Sequence, residues 1–252
     1  MLHRKRSTRE ITKMDVQIGE ASIPLVIYRE LRYNWRIAIA QQSVNLRIPL
    51  IDSPDQPGDP VQWAMKWIKK KFASEPQIFN RFFLKAPTDG KIYQTVFGAY
   101  TLRIVQANRK TAGGQVVDRE LIVKCPNLWN EGMRADGLPR VVSKLLAHAL
   151  HDDFFHKIMD LNDRYYQFVV EGLSFKYNKS NWGSCSHDGN LTFSTRLFLA
   201  PEPVVDYVII HELAHLRHHN HSRAFWDLVA AAMPDYRRCT AWLKEHGNDL
   251  YF

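Results

Sequence analysis

Cysteine is scarce in this 252-residue chain: Cys125, Cys185 and Cys239 lie far apart and form no C-x-x-C pair. That spacing excludes a disulfide framework and an all-cysteine zinc site, and it fits a reducing compartment. Long apolar runs are missing too. None approaches the roughly 20 residues a membrane helix needs, so no membrane partner is expected. The basic stretch Met1 to Arg9 is not followed by a secretory apolar segment, because Ile23-Pro24-Leu25-Val26-Ile27 is short and broken by proline. A cytoplasmic protein is the expectation. Internal sequence repeats and low-complexity tracts are also absent.

What is present is ordinary in bulk and uneven in placement. Apolar residues make up 45% and charged residues 24%, enough for one large domain or two small ones with a buried core. The net charge of +8 is split: residues 1–125 carry 21 Lys/Arg against 11 Asp/Glu, whereas residues 126–252 carry 13 against 15. Ten of the eleven histidines lie in the second half. The division predicts a β-rich basic module over 1–125, able to face anions such as nucleic acid, and a histidine-rich chemical domain over 126–252.

Short β-branched or alternating runs predict strands at Ala21–Tyr28, Trp35–Ala40 and Val44–Ile48, then at Arg81–Leu84, Lys91–Phe97, Tyr100–Gln106 and Gln115–Val123. Turns are expected at Asp89-Gly90 and Gly113-Gly114. Between the two groups, Val61, Met65, Ile68 and Phe72 recur at helical spacing, with Lys66, Lys69, Lys70 and Lys71 supplying charge. After a connector from Cys125 to Gly137, Pro139 suits the first turn of one long helix whose apolar face runs from Val142 to Leu161. A strand is expected at Phe168–Tyr177. Trp182–Ser186 and Asn190–Leu199 flank His187-Asp188-Gly189 as a hairpin. Pro203 then opens an apolar helix that runs into the histidines.

His211-Glu212-Leu213-Ala214-His215 reads H-E-x-x-H. On a helix, residues four apart share a face, so both imidazoles can reach one ion. Glu212 projects about 100° round from His211, where it can flank a metal-bound water without ligating. Zinc lowers that water's pKa toward ~7, and an adjacent carboxylate can take the proton and later deliver it to a leaving amine. Val204, Val205, Val208, Ile209, Ile210, Leu213 and Leu216 make this helix apolar on nearly every side, hence buried. Polar groups there are costly unless satisfied, by a metal or by hydrogen bonds inside the protein.

The third ligand follows from helix geometry. On a continued helix His219 would lie about 12 Å along the axis from His211, too far for nitrogens bound ~2.0–2.1 Å from one zinc. The chain must turn first. His221 lies beyond Asn220, which tolerates a left-handed conformation, and Ser222 can cap a new helix over Arg223–Met233 stopped by Pro234. His221 is the preferred ligand; Asp227 and Glu245 are weaker choices.

These residues resemble the YgjP-like metallopeptidases, grouped with SprT-like and WLM zinc proteases. The resemblance rests on Asn181-Trp182-Gly183-Ser184-Cys185-Ser186, Leu197–Pro201, Asp206–Leu216, Asn220-His221-Ser222 with Phe225-Trp226, and Met233–Arg237 with Trp242-Leu243-Lys244. It implies an α+β fold: a zincin-like domain whose H-E-x-x-H helix packs on a small sheet, preceded by the β-rich module. It also implies zinc on His211, His215 and His221, with Glu212 catalytic. One departure stands out, since Asn181 occupies a place that is usually basic in the family.

By the same likeness Trp182, Gly183, Ser184 and Cys185 form an edge strand that holds an extended protein or peptide substrate through backbone hydrogen bonds; the alternative is a buried hairpin with Trp182 in the core. Cys185 reads as a packed residue, having no basic partner at a recognisable spacing. The helix bearing Trp63, Trp67 and Lys66–Lys71 is read as docked on the β module with its lysines in water, and a nucleic-acid contact is the other reading. Three functions stay in competition: a zinc peptidase, a metal-dependent hydrolase of nucleotide phosphoanhydrides, and a nucleic-acid-binding module with structural zinc. Tyr207, Tyr236 and Arg237 are possible transition-state stabilisers.

Overall fold

The structure is a computed structural model, and it describes residues 9–19, 21–40, 43–51, 56–82, 85–178 and 180–252. Most of the basic Met1–Arg9 stretch and Lys179 lie outside the described residues. The chain forms two compact units, Met1–Leu84 and Lys85–Phe252. This differs from the division expected after Cys125, which falls inside a strand of the second unit.

In the first unit β1 (Arg9–Ile18), β2 (Ala21–Glu30), β3 (Arg36–Ile39) and β4 (Val44–Pro49) form one sheet in the order β1-β2-β4-β3. The central pair β2 and β4 is parallel, and the outer pairings are antiparallel. Alternation sends Ile23, Leu25, Ile27, Val44, Leu46 and Ile48 to one buried face. Helix α1 (Pro60–Ser74) covers that face with Ala64 and Ile68. Asp59 caps it by accepting from the Val61 and Gln62 amides, and Pro60 suits its first turn. Lys66, Lys69 and Lys70 are exposed, as an amphipathic docked helix requires. Arg81 and Phe82, expected in a strand, end a 3-10 helix from Pro76 to Phe82 that buries Phe79 in the same core.

The second unit opens with β5 (Ile92–Thr95), β6 (Gly98–Ala107), β7 (Gly113–Val117) and β8 (Glu120–Pro126), ordered β5-β6-β8-β7. Its central pair β6 and β8 is again parallel. The same topology therefore occurs twice, though no sequence repeat marks it. The run Gln115–Val123 is two strands, not one. Asp118 and Arg119 both have positive φ, 46° and 64°, and make a two-residue hairpin turn whose hand matches strand twist. Gly113 and Gly114 lie in β7, not in a turn.

The long helix expected from Pro139 is also two, α2 (Glu131–Ala149) and α3 (His151–Tyr165), separated at Leu150. It begins earlier than expected because the Asn130 side chain accepts from the Met133 amide and starts α2 well before Pro139, which sits buried inside it. A three-stranded sheet follows, of β9 (Gly172–Lys176), β10 (Gly183–Cys185) and β11 (Asn190–Ser194), ordered β10-β11-β9. Phe168–Val170 lies outside β9, and Thr195–Leu199 is a 3-10 helix. The remaining helices are α4 (Glu202–His215), α5 (Arg223–Ala232) and α6 (Tyr236–His246). Phe154 of α3 centres the core, with the rings of Phe97, Phe175, Phe193 and Phe198 within 6.2 Å. The resulting architecture is mixed α+β with small sheets.

Candidate metal centre

Helix α4 buries nearly its whole circumference, from Val204 and Val205 through Val208, Ile209 and Ile210 to Leu213 and Ala214. It tightens at its end, where the Leu216, Arg217 and His218 amides donate to the Leu213 and Ala214 carbonyls. The chain then doubles back. Asn220 tolerates a left-handed conformation but does not adopt one; its Oδ1 accepts from the Ser222 amide at 3.2 Å and closes the turn with the side chain instead. Ser222 Oγ accepts from the Phe225 amide and caps α5 as expected.

This reversal brings His221 onto His211 and His215. The ligand atoms of the three imidazoles all lie within 4.8 Å of one another, and His221 Nε2 stands 3.1 Å from His211 Nε2. Nitrogens ~2.0–2.1 Å from one tetrahedral ion would be roughly 3.3 Å apart, so the observed spacing suits a shared cation. His215 Nδ1 lies 2.9 Å from the His218 carbonyl oxygen and donates to it, which leaves Nε2 as the free lone pair. His211 is pushed down to about 3, by burial first and by neighbouring His215 and His221 second. His215 is lowered as well, mainly by burial. Phe225 packs on His215 and Trp226 stacks on His221, with ring centroids 4.5 and 5.6 Å apart.

The competing side chains go elsewhere. His219 contacts His187 of the β10–β11 turn, with ring centroids 4.2 Å apart. Asp227 pairs loosely with Arg223, and Glu245 lies beside His246. Among the described residues, the three histidines are the one group of this kind.

Glu212 is 5% exposed, and burial pushes its carboxyl up to about 8. Strand β10 lies directly against it: a Cβ on Gly183 would stand 2.5 Å from Glu212 Oε1. The Ser194 amide donates to the Trp182 carbonyl, and the Ser186 amide donates to that of Asn190. By the period of an antiparallel pair, Trp182, Ser184 and Ser186 therefore face β11, while the backbone groups of Gly183 and Cys185 face the open edge. Asn181 Nδ2 donates to the Gly183 carbonyl at 3.1 Å. The Cys185 thiol is pushed up to about 11 by burial and by Glu212, so it is no nucleophile.

Trp182 is packed, not presented. Its ring lies under the Arg196 guanidinium at 4.6 Å and against Gly247, where a Cβ would approach within 2.6 Å. Arg196, which the sequence did not single out, is 3% exposed and also donates to the Leu250 and Gly247 carbonyls. Nor could sequence spacing have revealed the His218 carbonyl, because any residue supplies one. Tyr207 stacks on Tyr236 and meets His211 edge-on, with ring centroids 6.2 and 5.8 Å apart. Arg237 lies over the Tyr236 ring.

An α+β domain with a three-histidine cluster beside a buried glutamate is the class these observations define. The chain belongs to the YgjP-like metallopeptidase family, whose domain model matches residues 33–246. No curated protein matches the chain. Among solved structures it is similar to the metallopeptidase zymogen of Pyrococcus abyssi abylysin, at 20% identity and a TM-score of 0.34, over 36% of this chain and 93% of that one.

Proposed function

We propose that this chain is a zinc peptidase of the zincin type, with His211, His215 and His221 as ligands and Glu212 as general base. The observation that carries the proposal is the convergence of three imidazoles, one held in its tautomer by the His218 carbonyl, beside a buried carboxylate. Imidazole nitrogens at this spacing fit zinc. The ion would supply Lewis acidity, acidifying water and polarising a carbonyl.

The chain's own residues do the rest. An extended peptide adds to the open edge of β10 through the amides and carbonyls of Gly183 and Cys185, displacing Asn181 from the Gly183 carbonyl. Glu212 takes a proton from the attacking water and returns it to the leaving amine; a carboxyl raised toward neutrality suits both transfers. Trp182, locked by Arg196, fixes the strand. The test is metal analysis with a casein assay on wild type and Glu212→Gln. The variant is expected to keep stoichiometric zinc and its fold while losing about 10²–10⁴-fold in rate. Full activity in Glu212→Gln, or hydrolysis of nucleoside triphosphates in place of casein, defeats the proposal.

A further inference from the structure

The first unit carries a second surface with chemistry of its own. Residues 1–84 hold 14 Lys/Arg against 8 Asp/Glu, and three of the arginines gather at one end of its sheet. Arg36 of β3 stands directly opposite Arg47 of β4 in register. Like charges facing each other across strands oppose pairing. Glu30 relieves only part of this. Its side chain, 8% exposed, accepts from Arg47 on Oε2 and from Arg32 on Oε1, both at 2.9 Å. One carboxylate thus serves two guanidiniums, while Arg36 is exposed with no ion-pair partner among the described residues.

These groups line a cleft of about 1450 Å³ in the first unit. Tyr33, 97% exposed, lies on its rim beside Arg32, and Trp35 and Trp63 meet edge-to-face in its wall at 5.5 Å. An aromatic ring left wholly in water beside clustered guanidiniums is the pairing that single strands need: arginine for phosphate, a free ring for a base. The cleft is concave, which suits a strand better than a flat membrane. The lysines of α1 lack this pairing on their own helix, since its rings, Trp63, Trp67 and Phe72, are partly buried in the core.

We infer that this cleft binds single-stranded nucleic acid through Arg36, Arg47 and Arg32, with Tyr33 stacking on a base. The inference is independent of the peptidase reading. Its test is fluorescence anisotropy of the full chain with labelled oligothymidine and oligouridine of about 15 nucleotides, at several salt concentrations. Parallel titrations use a duplex of equal length, polyglutamate and phosphatidylserine vesicles.

The expected result is salt-dependent binding of single strands that weakens about tenfold or more in Tyr33→Ala. Arg36→Glu should weaken binding and reduce the salt slope by about 1, Arg36→Lys should retain most of it, and a Lys69→Glu/Lys70→Glu variant should change it less than about twofold. Tyr33 and Arg36 are exposed, so thermal melts matching wild type would show that these variants fold. Absence of single-strand binding overturns the inference. So does greater sensitivity to the helix lysines, or equal binding of polyglutamate or vesicles with no effect of Tyr33→Ala.

Discussion

Gly183 and Glu212 lie so close that a single methyl group could not be placed between them: a Cβ at position 183 would stand 2.5 Å from Oε1 and 2.6 Å from Cγ of the glutamate. The edge strand and the proposed base are therefore one unit. Only glycine lets β10 approach α4 closely enough to exclude water from that carboxylate, and exclusion is what raises it.

Gly183→Ala should accordingly displace Glu212 or push β10 away. Overpacking of this kind costs about 1–3 kcal/mol. We expect a lower melting temperature and a fall of about 10²-fold in peptidase rate with zinc content retained. A fully active variant would show that the strand has room to move.

Burial of Glu212 also predicts a pH dependence. Its carboxyl is raised from 4.5 to about 8, so the folded state holds the proton more tightly than the unfolded one. The stability this contributes is complete below about pH 4.5 and is lost as pH rises through 8. In the metal-free protein, Glu212→Gln should gain stability relative to wild type between those limits, by on the order of 5 kcal/mol. Urea unfolding at pH 5 and pH 9 in the presence of chelator measures it; an equal difference at both pH values would refute the assignment.

The choice between the two neighbouring histidines is testable by metal content. His221→Ala should lose stoichiometric zinc after dialysis, because only two imidazoles remain. His219→Ala should keep it, since that ring packs on His187 outside the cluster. The reverse outcome would show that the loop after α4 adopts another arrangement when metal is bound.

Arg196→Met should loosen the C-terminal segment. The change removes the donors to the Leu250 and Gly247 carbonyls and the cation over Trp182 and Tyr251. Leaving buried acceptors without partners costs about 1–3 kcal/mol each. A lower melting temperature, red-shifted tryptophan fluorescence and faster proteolysis near Leu250 are the expected readouts. An unchanged melt would mean that water replaces the guanidinium.

Much was legible before any tertiary structure. Alternation gave β2, β3 and β4, and helical spacing gave α1. Pro203 and Ser222 marked the starts of α4 and α5 because caps and first-turn prolines act locally. The misreadings came where a local signal was overruled. The β-branched residues on both sides, Val116 and Val117 before and Ile122 and Val123 after, concealed the Asp118-Arg119 turn, since neither turn residue is glycine. The Asn130 cap moved the start of α2 upstream of Pro139. β1 and α6 passed unnoticed, and the β5–β8 sheet shares its core with α2 and α3, which no composition count reveals.

The sequence by itself determined that His211 and His215 share a helix face and that a straight helix cannot bring His219 to them, because rise per residue is fixed by backbone geometry. It also carried the family likeness, through motifs local enough to read in order. Only the tertiary structure decided what Gly183 is for, which carbonyl orients His215, and that Arg36 and Arg47 stand side by side. Those relations join residues far apart in the chain, and packing sets them.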